Sequence, residues 1–186
     1  YLLRNFGVAD FKSNLIVVDS LLTQRVFSLF DLPEDRNIGF FQETSVENID
    51  GRSNKLVSVI DTKTNIIAYK IEMTSFLFEK SLMQDHFNED YVESDKFPRA
   101  FFNGQVVNFK TINFSKEGKY PIQVSGNMQV HGTNKNVQTT GTIEVIGKTI
   151  KANAKFTVRL KDFNIGGVMI KMVADEINID VNAILQ

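Results

Sequence analysis

Hydrophobic and polar residues alternate through much of the chain. Ile67, Tyr69, Ile71 and Met73 alternate with Ala68, Lys70 and Glu72; Ala100, Phe102, Gly104 and Val106 alternate with Phe101, Asn103 and Gln105. The same rhythm runs through Ile122–Val130, Ile150–Leu160 and Ile177–Ala183. Period-two alternation gives a strand one wet and one dry face, which favours antiparallel over parallel sheet. Turn signals separate the runs: Asp50-Gly51, Glu117-Gly118, Gly132-Thr133-Asn134, Ile146-Gly147 and Gly166-Gly167. Successive hairpins of long strands predict a closed antiparallel β-barrel of eight strands, an all-β fold without exposed strand edges. One segment breaks the rhythm. Phe78–Phe87, FEKSLMQDHF, is rich in good helix formers and places Leu82, Met83 and Phe87 on one helical face, predicting a short helix across a barrel end or on its wall. Residues 1–37 keep no steady period, and Leu32-Pro33-Glu34-Asp35 marks a break before the regular part.

The inward positions mix bulky with small residues: Phe102 beside Ala100 and Gly104, Phe156 beside Ala152 and Ala154, Met128 beside Gly126. An eight-stranded barrel either fills with side chains or holds one small ligand. An uncharged interior with small residues leaves room for an apolar chain, and each buried CH₂ contributes roughly 0.8 kcal/mol. A solid barrel is the alternative that the pattern leaves open.

Composition adds constraints. At 42% hydrophobic and 23% charged, 186 residues suit an ordinary globular domain. A net charge of -1 gives no global field to recruit nucleic acid. Phe101–Lys161 nevertheless holds nine basic and two acidic residues, a local balance of +7. That stretch is either a basic surface for anionic head groups or the solvated outer face of several strands. The absence of cysteine excludes disulfides and thiolate chemistry. Leu15–Leu22 is apolar but interrupted by Asp19 and Ser20; it fits a trimmed export signal or an N-terminal element.

Chemistry-bearing motifs are sparse. The two histidines, His86 and His131, have no metal-pair spacing and would need carboxylates such as Asp85, Glu89 or Asp90 to hold zinc. No serine sits in a nucleophile elbow, and Gly166-Gly167 lacks the rest of a phosphate loop. The expectation is a non-enzyme with no catalytic residues, no metal and no cofactor.

Phe76–Gly104 reads FLFEKSLMQDHFNEDYVESDKFPRAFFNG. It resembles the signature region of the YceI-like family, matching at Phe76, Phe78, Leu82, Met83, His86–Glu89, Tyr91, Glu93, Ser94, Lys96–Pro98, Ala100, Phe102 and Gly104. Gly126–Lys135 resembles that family's G-x-L-x-I-H-G-x-T-K element, and Leu160–Ile165 its D-[YF]-G-I turn, with Asn164 in place of glycine. Asn tolerates left-handed backbone, so the turn can survive. The resemblance spans residues 38–186. Residues 1–37 do not match the family's export signal and mature start, and are read as an irregular segment, either a signal remnant or an extra element.

The resemblance implies a lipocalin-like barrel with a helix, exported to the periplasm or secreted, which binds a polyisoprenoid, isoprenoid quinone or fatty-acid derivative. Some members form dimers, which extends to this chain the expectation of a homodimer. The ligand-lining candidates are Ile71, Met73, Phe78, Met83, Phe87, Phe102, Val106, Val124, Met128, Val130, Phe156 and Val158. Leu82, Met83 and Phe87 would gate one end. The alternative function is a solid barrel whose outer face, over Lys148–Lys161, contacts a partner protein or, transiently, a membrane surface.

Overall fold

The computed structural model describes residues 37–42, 49–166 and 175–185. The expectations for residues 1–36 and for Gly167 lie outside the described residues. Nine strands form one antiparallel sheet there: β1 (Asn37–Gln42), β2 (Ile49–Ser53), β3 (Val57–Ile60), β4 (Ile66–Glu72), β5 (Arg99–Val106), β6 (Gly118–Val130), β7 (Thr133–Ile146), β8 (Thr149–Arg159) and β9 (Glu176–Leu185). Their order is β2-β1-β9-β8-β7-β6-β5-β4-β3. The all-antiparallel expectation stands, with nine strands among the described residues. The sheet curls into a half-barrel whose edge strands, β2 and β3, share no ladder. At that seam Arg52 and Leu77 exchange backbone hydrogen bonds of 3.0 and 2.8 Å, and the Ser53 and Ser75 hydroxyls meet at 2.7 Å.

The alternating stretches all become strands, because their dry faces are buried together by the curl. Asp50-Gly51 departs from expectation. Gly51 lies inside β2, where an added Cβ would come within 2.5 Å of the Phe40 ring and 2.9 Å of the Phe78 ring. The glycine there makes space for aromatic rings and does not mark a turn. Asn164 takes the left-handed backbone expected of it, with φ of 55°.

The predicted helix is shorter than its pattern. α1 covers Ser81–His86 and continues as a wider, π-helical turn over Phe87–Tyr91. The widened turn buries Phe87 while leaving Leu82 65% exposed.

The interior is divided at mid-height. Gly104 and Gly126 lie opposite each other on β5 and β6, and the Phe102 ring occupies the space where their side chains would stand. A Cβ on Gly126 would lie 2.4 Å from the Asn103 carbonyl oxygen and 2.7 Å from the Phe102 Cζ. Below this plane the barrel is solid, filled by Ile67, Val106, Ile122, Val124, Ile143 and Val145. Gly126→Ala should therefore lower stability by more than about 2 kcal/mol, because backbone on the neighbouring strand cannot yield as a side-chain tip can. Urea unfolding measures this; an unchanged midpoint would contradict the packing described.

Candidate ligand-binding cavity

Above Phe102 the inward side chains do not meet, and a cavity of about 150 Å³ opens, in part to solvent. β4 contributes Tyr69 and Ile71, β5 Ala100 and Phe102, β6 Met128 and Val130, and β9 Ile177 and Ile179. The chain between β4 and β5 folds over this end as a cap that brings in Met73, Phe76, Phe78, Met83 and Phe87. Phe40 of β1 is the hub of the aromatic wall, with ring centroids 5.3 Å from Phe76, 5.7 Å from Phe78 and 5.4 Å from Phe87. Interlocked rings of this kind hold their shape beyond what burial alone provides.

Nine of the twelve residues singled out from sequence line this cavity: Ile71, Met73, Phe78, Met83, Phe87, Phe102, Met128, Val130 and Val158. Three do not. Val106, with no exposed surface, and Val124 belong to the solid half below Phe102. Phe156 faces inward and packs against the core without reaching the lining. The small residues beside Phe102 were expected to leave room; Phe102 itself fills that room, so no continuous tunnel runs the length of the barrel. Of the three expected gating residues, Met83 and Phe87 stand at the cavity and Leu82 points away.

Phe40, Leu56, Phe76, Tyr91, Leu160 and Phe163 also line the cavity and are not among those twelve. Phe40 sits on a strand too short to show a period, Leu56 immediately precedes β3, and Phe76 precedes the helix in irregular chain. Tyr69, Lys70 and Tyr91 are lining residues that carry polar groups. Burial pushes the Tyr69 phenol well above the ordinary range.

His131 pins the cap to the barrel. Its Nε2 lies 2.9 Å from the Glu93 carboxylate and its Nδ1 3.3 Å from the Phe163 carbonyl oxygen, while Phe97 packs edge-on at 4.4 Å. Glu93 and His131 both adopt left-handed backbone, φ 44° and 49°, which non-glycine residues hold only where neighbours fix them. His86 pairs within the helical segment, Nδ1 to Asp90 Oδ2 at 2.6 Å. Each histidine thus has hydrogen-bond partners, and no group of three or more His, Asp or Glu that could hold a metal occurs among the described residues. On the outer face of β8, Lys155 pairs with Asp180 at 2.8 Å and Arg159 with Glu176 at 3.0 Å. These two acids of β9 offset two of the nine cations in the basic stretch.

The YceI-like domain profile matches residues 32–185. The chain belongs to the YceI-like family. Solved structures similar to this YceI-like chain include Burkholderia cenocepacia BcnA, with TM-score 0.69, 17% identity and coverage of 81% of this chain and 96% of that one. A polyisoprenoid binding domain from Saccharophagus degradans has TM-score 0.71 and 11% identity over 81% of this chain and 93% of that one. The Campylobacter jejuni YCEI protein has TM-score 0.59 and 16% identity over 77% and 88%. At such identities these likenesses establish the fold. No curated protein matches the chain in sequence. No helix among the described residues is long and apolar enough to cross a membrane.

The cap contact has a pH signature. The Lys96 ammonium, then the His131 ring, hold the Glu93 carboxyl below its ordinary range. A depressed carboxyl contributes stability above its unfolded pKa and loses it as pH falls through the folded value. Glu93→Gln should therefore be less stable than wild type near neutrality, with the difference shrinking below about pH 4. Urea midpoints measured across pH check this; a difference that persists unchanged in acid would contradict it.

Proposed function

We propose that this chain binds the apolar chain of a lipid, a polyisoprenoid, isoprenoid quinone or fatty-acid derivative, in the cavity above Phe102, for transport, storage or sequestration. The observation that carries this reading is the cavity's chemistry: some 150 Å³ bounded almost wholly by aliphatic and aromatic surface. A cavity of that size takes a ring-sized stretch of an apolar molecule. An apolar guest displaces water from this lining, and each buried methylene contributes roughly 0.8 kcal/mol before ordering costs.

Membership of the YceI-like family and the likeness to a polyisoprenoid binding domain support the same class of ligand. Family membership also supports an exported setting. Leu77 and Leu82, 64% and 65% exposed at the cap, suit a transient contact with a membrane surface during loading. The rival reading, a solid barrel using its basic face, is less favoured, because two of the three cations of β8 are paired with acids of β9 and one half of the interior is unfilled.

Natively purified protein, extracted with organic solvent and analysed by mass spectrometry, should release a lipid in near-stoichiometric amount. Ala100→Trp places bulk in the cavity and should reduce that yield at least about tenfold while leaving the circular dichroism unchanged. An Ala100→Trp variant that folds and carries the same load would place the ligand elsewhere, and an empty wild-type protein that also fails to take up added lipid would contradict the reading.

A further inference from the structure

We infer that the cavity wall carries a lateral slot between β7 and β8, and that this slot seats the anionic head group of the bound lipid against Lys135, an assignment that rests on the lipid-binding reading above. The ladder between these strands runs only from Gly141↔Ala154 to Ile146↔Thr149, although β7 begins at Thr133 and β8 continues to Arg159. Thr133–Thr140 pair only with β6, and Lys155–Arg159 only with β9. The parting point is Gly141. A Cβ there would lie 2.5 Å from the Asn153 carbonyl oxygen, so β7 crosses β8 at a distance that admits no side chain, and the strands separate beyond it. The far end of the gap is tied by Asn164 Nδ2 donating to Thr133 Oγ1 at 3.0 Å and by the His131 contact to Phe163.

The cavity reaches this gap. Its lining passes from Met128 and Val130 on β6 to Val158 on β8 and takes no residue from β7, every residue of which is described. Lys135 nevertheless stands on the inner side of the sheet. It lies opposite Met128, which lies opposite Phe102, which lies opposite Tyr69. Directly paired residues of an antiparallel ladder share a face, so one row leads from the cavity lining to a lysine at the edge of the slot.

The charges suit an anion. Neither Thr133–Thr140 nor Lys155–Arg159 contains an aspartate or glutamate. Lys155 and Arg159 are engaged by Asp180 and Glu176, whereas Lys135 is exposed and has no ion pair among the described residues. Size points the same way. A cavity of about 150 Å³ takes a ring-sized stretch of a chain, so a longer lipid continues out of it. Among the described residues the slot is a break in the wall beside the cavity, and an ammonium on a flexible stem there favours a carboxylate or phosphate.

Calorimetric titration of the full chain with palmitic acid, hexadecyl phosphate and hexadecanol tests this, for wild type, Lys135→Gln and Lys135→Glu. Lys135→Glu should weaken binding of the two anions about fivefold, with Lys135→Gln between it and wild type, and should leave hexadecanol within about twofold. A larger loss for hexadecyl phosphate identifies a phosphate head group, and a larger loss for palmitic acid a carboxylate. Equal responses of all three ligands, or none, would overturn the slot assignment while leaving the lipid-binding reading intact. Failure of all three to bind the wild-type chain would overturn both.

Discussion

The Phe102 ring lying over the Gly104–Gly126 pair is the contact on which the rest of the interior depends. Two facing glycines leave a hole in the barrel wall's inner surface, and a neighbouring phenyl ring fills it. One half of the barrel then packs like any protein core, close to the density of an organic solid. The other half is relieved of that requirement, since Phe102 forms its floor. Stability resides in the solid half around Ile67, Val106, Ile143 and Val145, each nearly or wholly excluded from solvent. The cavity half can stay unfilled because the fold is already secured beneath it.

The cavity half needs its own support, which comes from the cap. Phe40, Phe76, Phe78 and Phe87 form a wall whose rings touch one another as much as they touch the cavity. Glu93 and His131, both held in left-handed backbone, join the cap to the β6–β7 turn and to the Leu160–Phe163 turn. Polar groups are thus spent at the perimeter, and the interior receives almost none. Ser58 on β3 is an exception, with a buried hydroxyl that has no hydrogen-bond partner among the described residues.

Much of this was legible in the sequence. Period-two alternation in β4, β5, β6, β8 and β9 fixes which residues face inward, and nine of the twelve lining candidates follow from parity and the cap pattern alone. What parity cannot supply is height along the barrel. Val106 and Val124 have the same inward parity as Phe102 and Met128, yet they lie beneath the floor. Nor does the glycine at position 104 or 126 announce whether its space stays empty or is taken by a ring. Gly51 illustrates the same ambiguity, since it reads as a turn and acts as a seat for Phe40 and Phe78. The family resemblance, carried by the cap sequence and the His131 element, indicates the cap and the barrel together; the early end of the β7–β8 ladder depends on one close backbone approach at Gly141 and has no periodic trace.

The claim that matters most is that a lipid chain lies above the Phe102 floor and nowhere below it. A crystal structure of the protein with hexadecanol bound tests this most directly. Continuous ligand density is expected among Phe87, Met128 and Val158, with Phe102 still seated on its two glycines. A ligand reaching Val106 and Val124, or a cavity closed by its own aromatic rings with the lipid bound elsewhere, would contradict it.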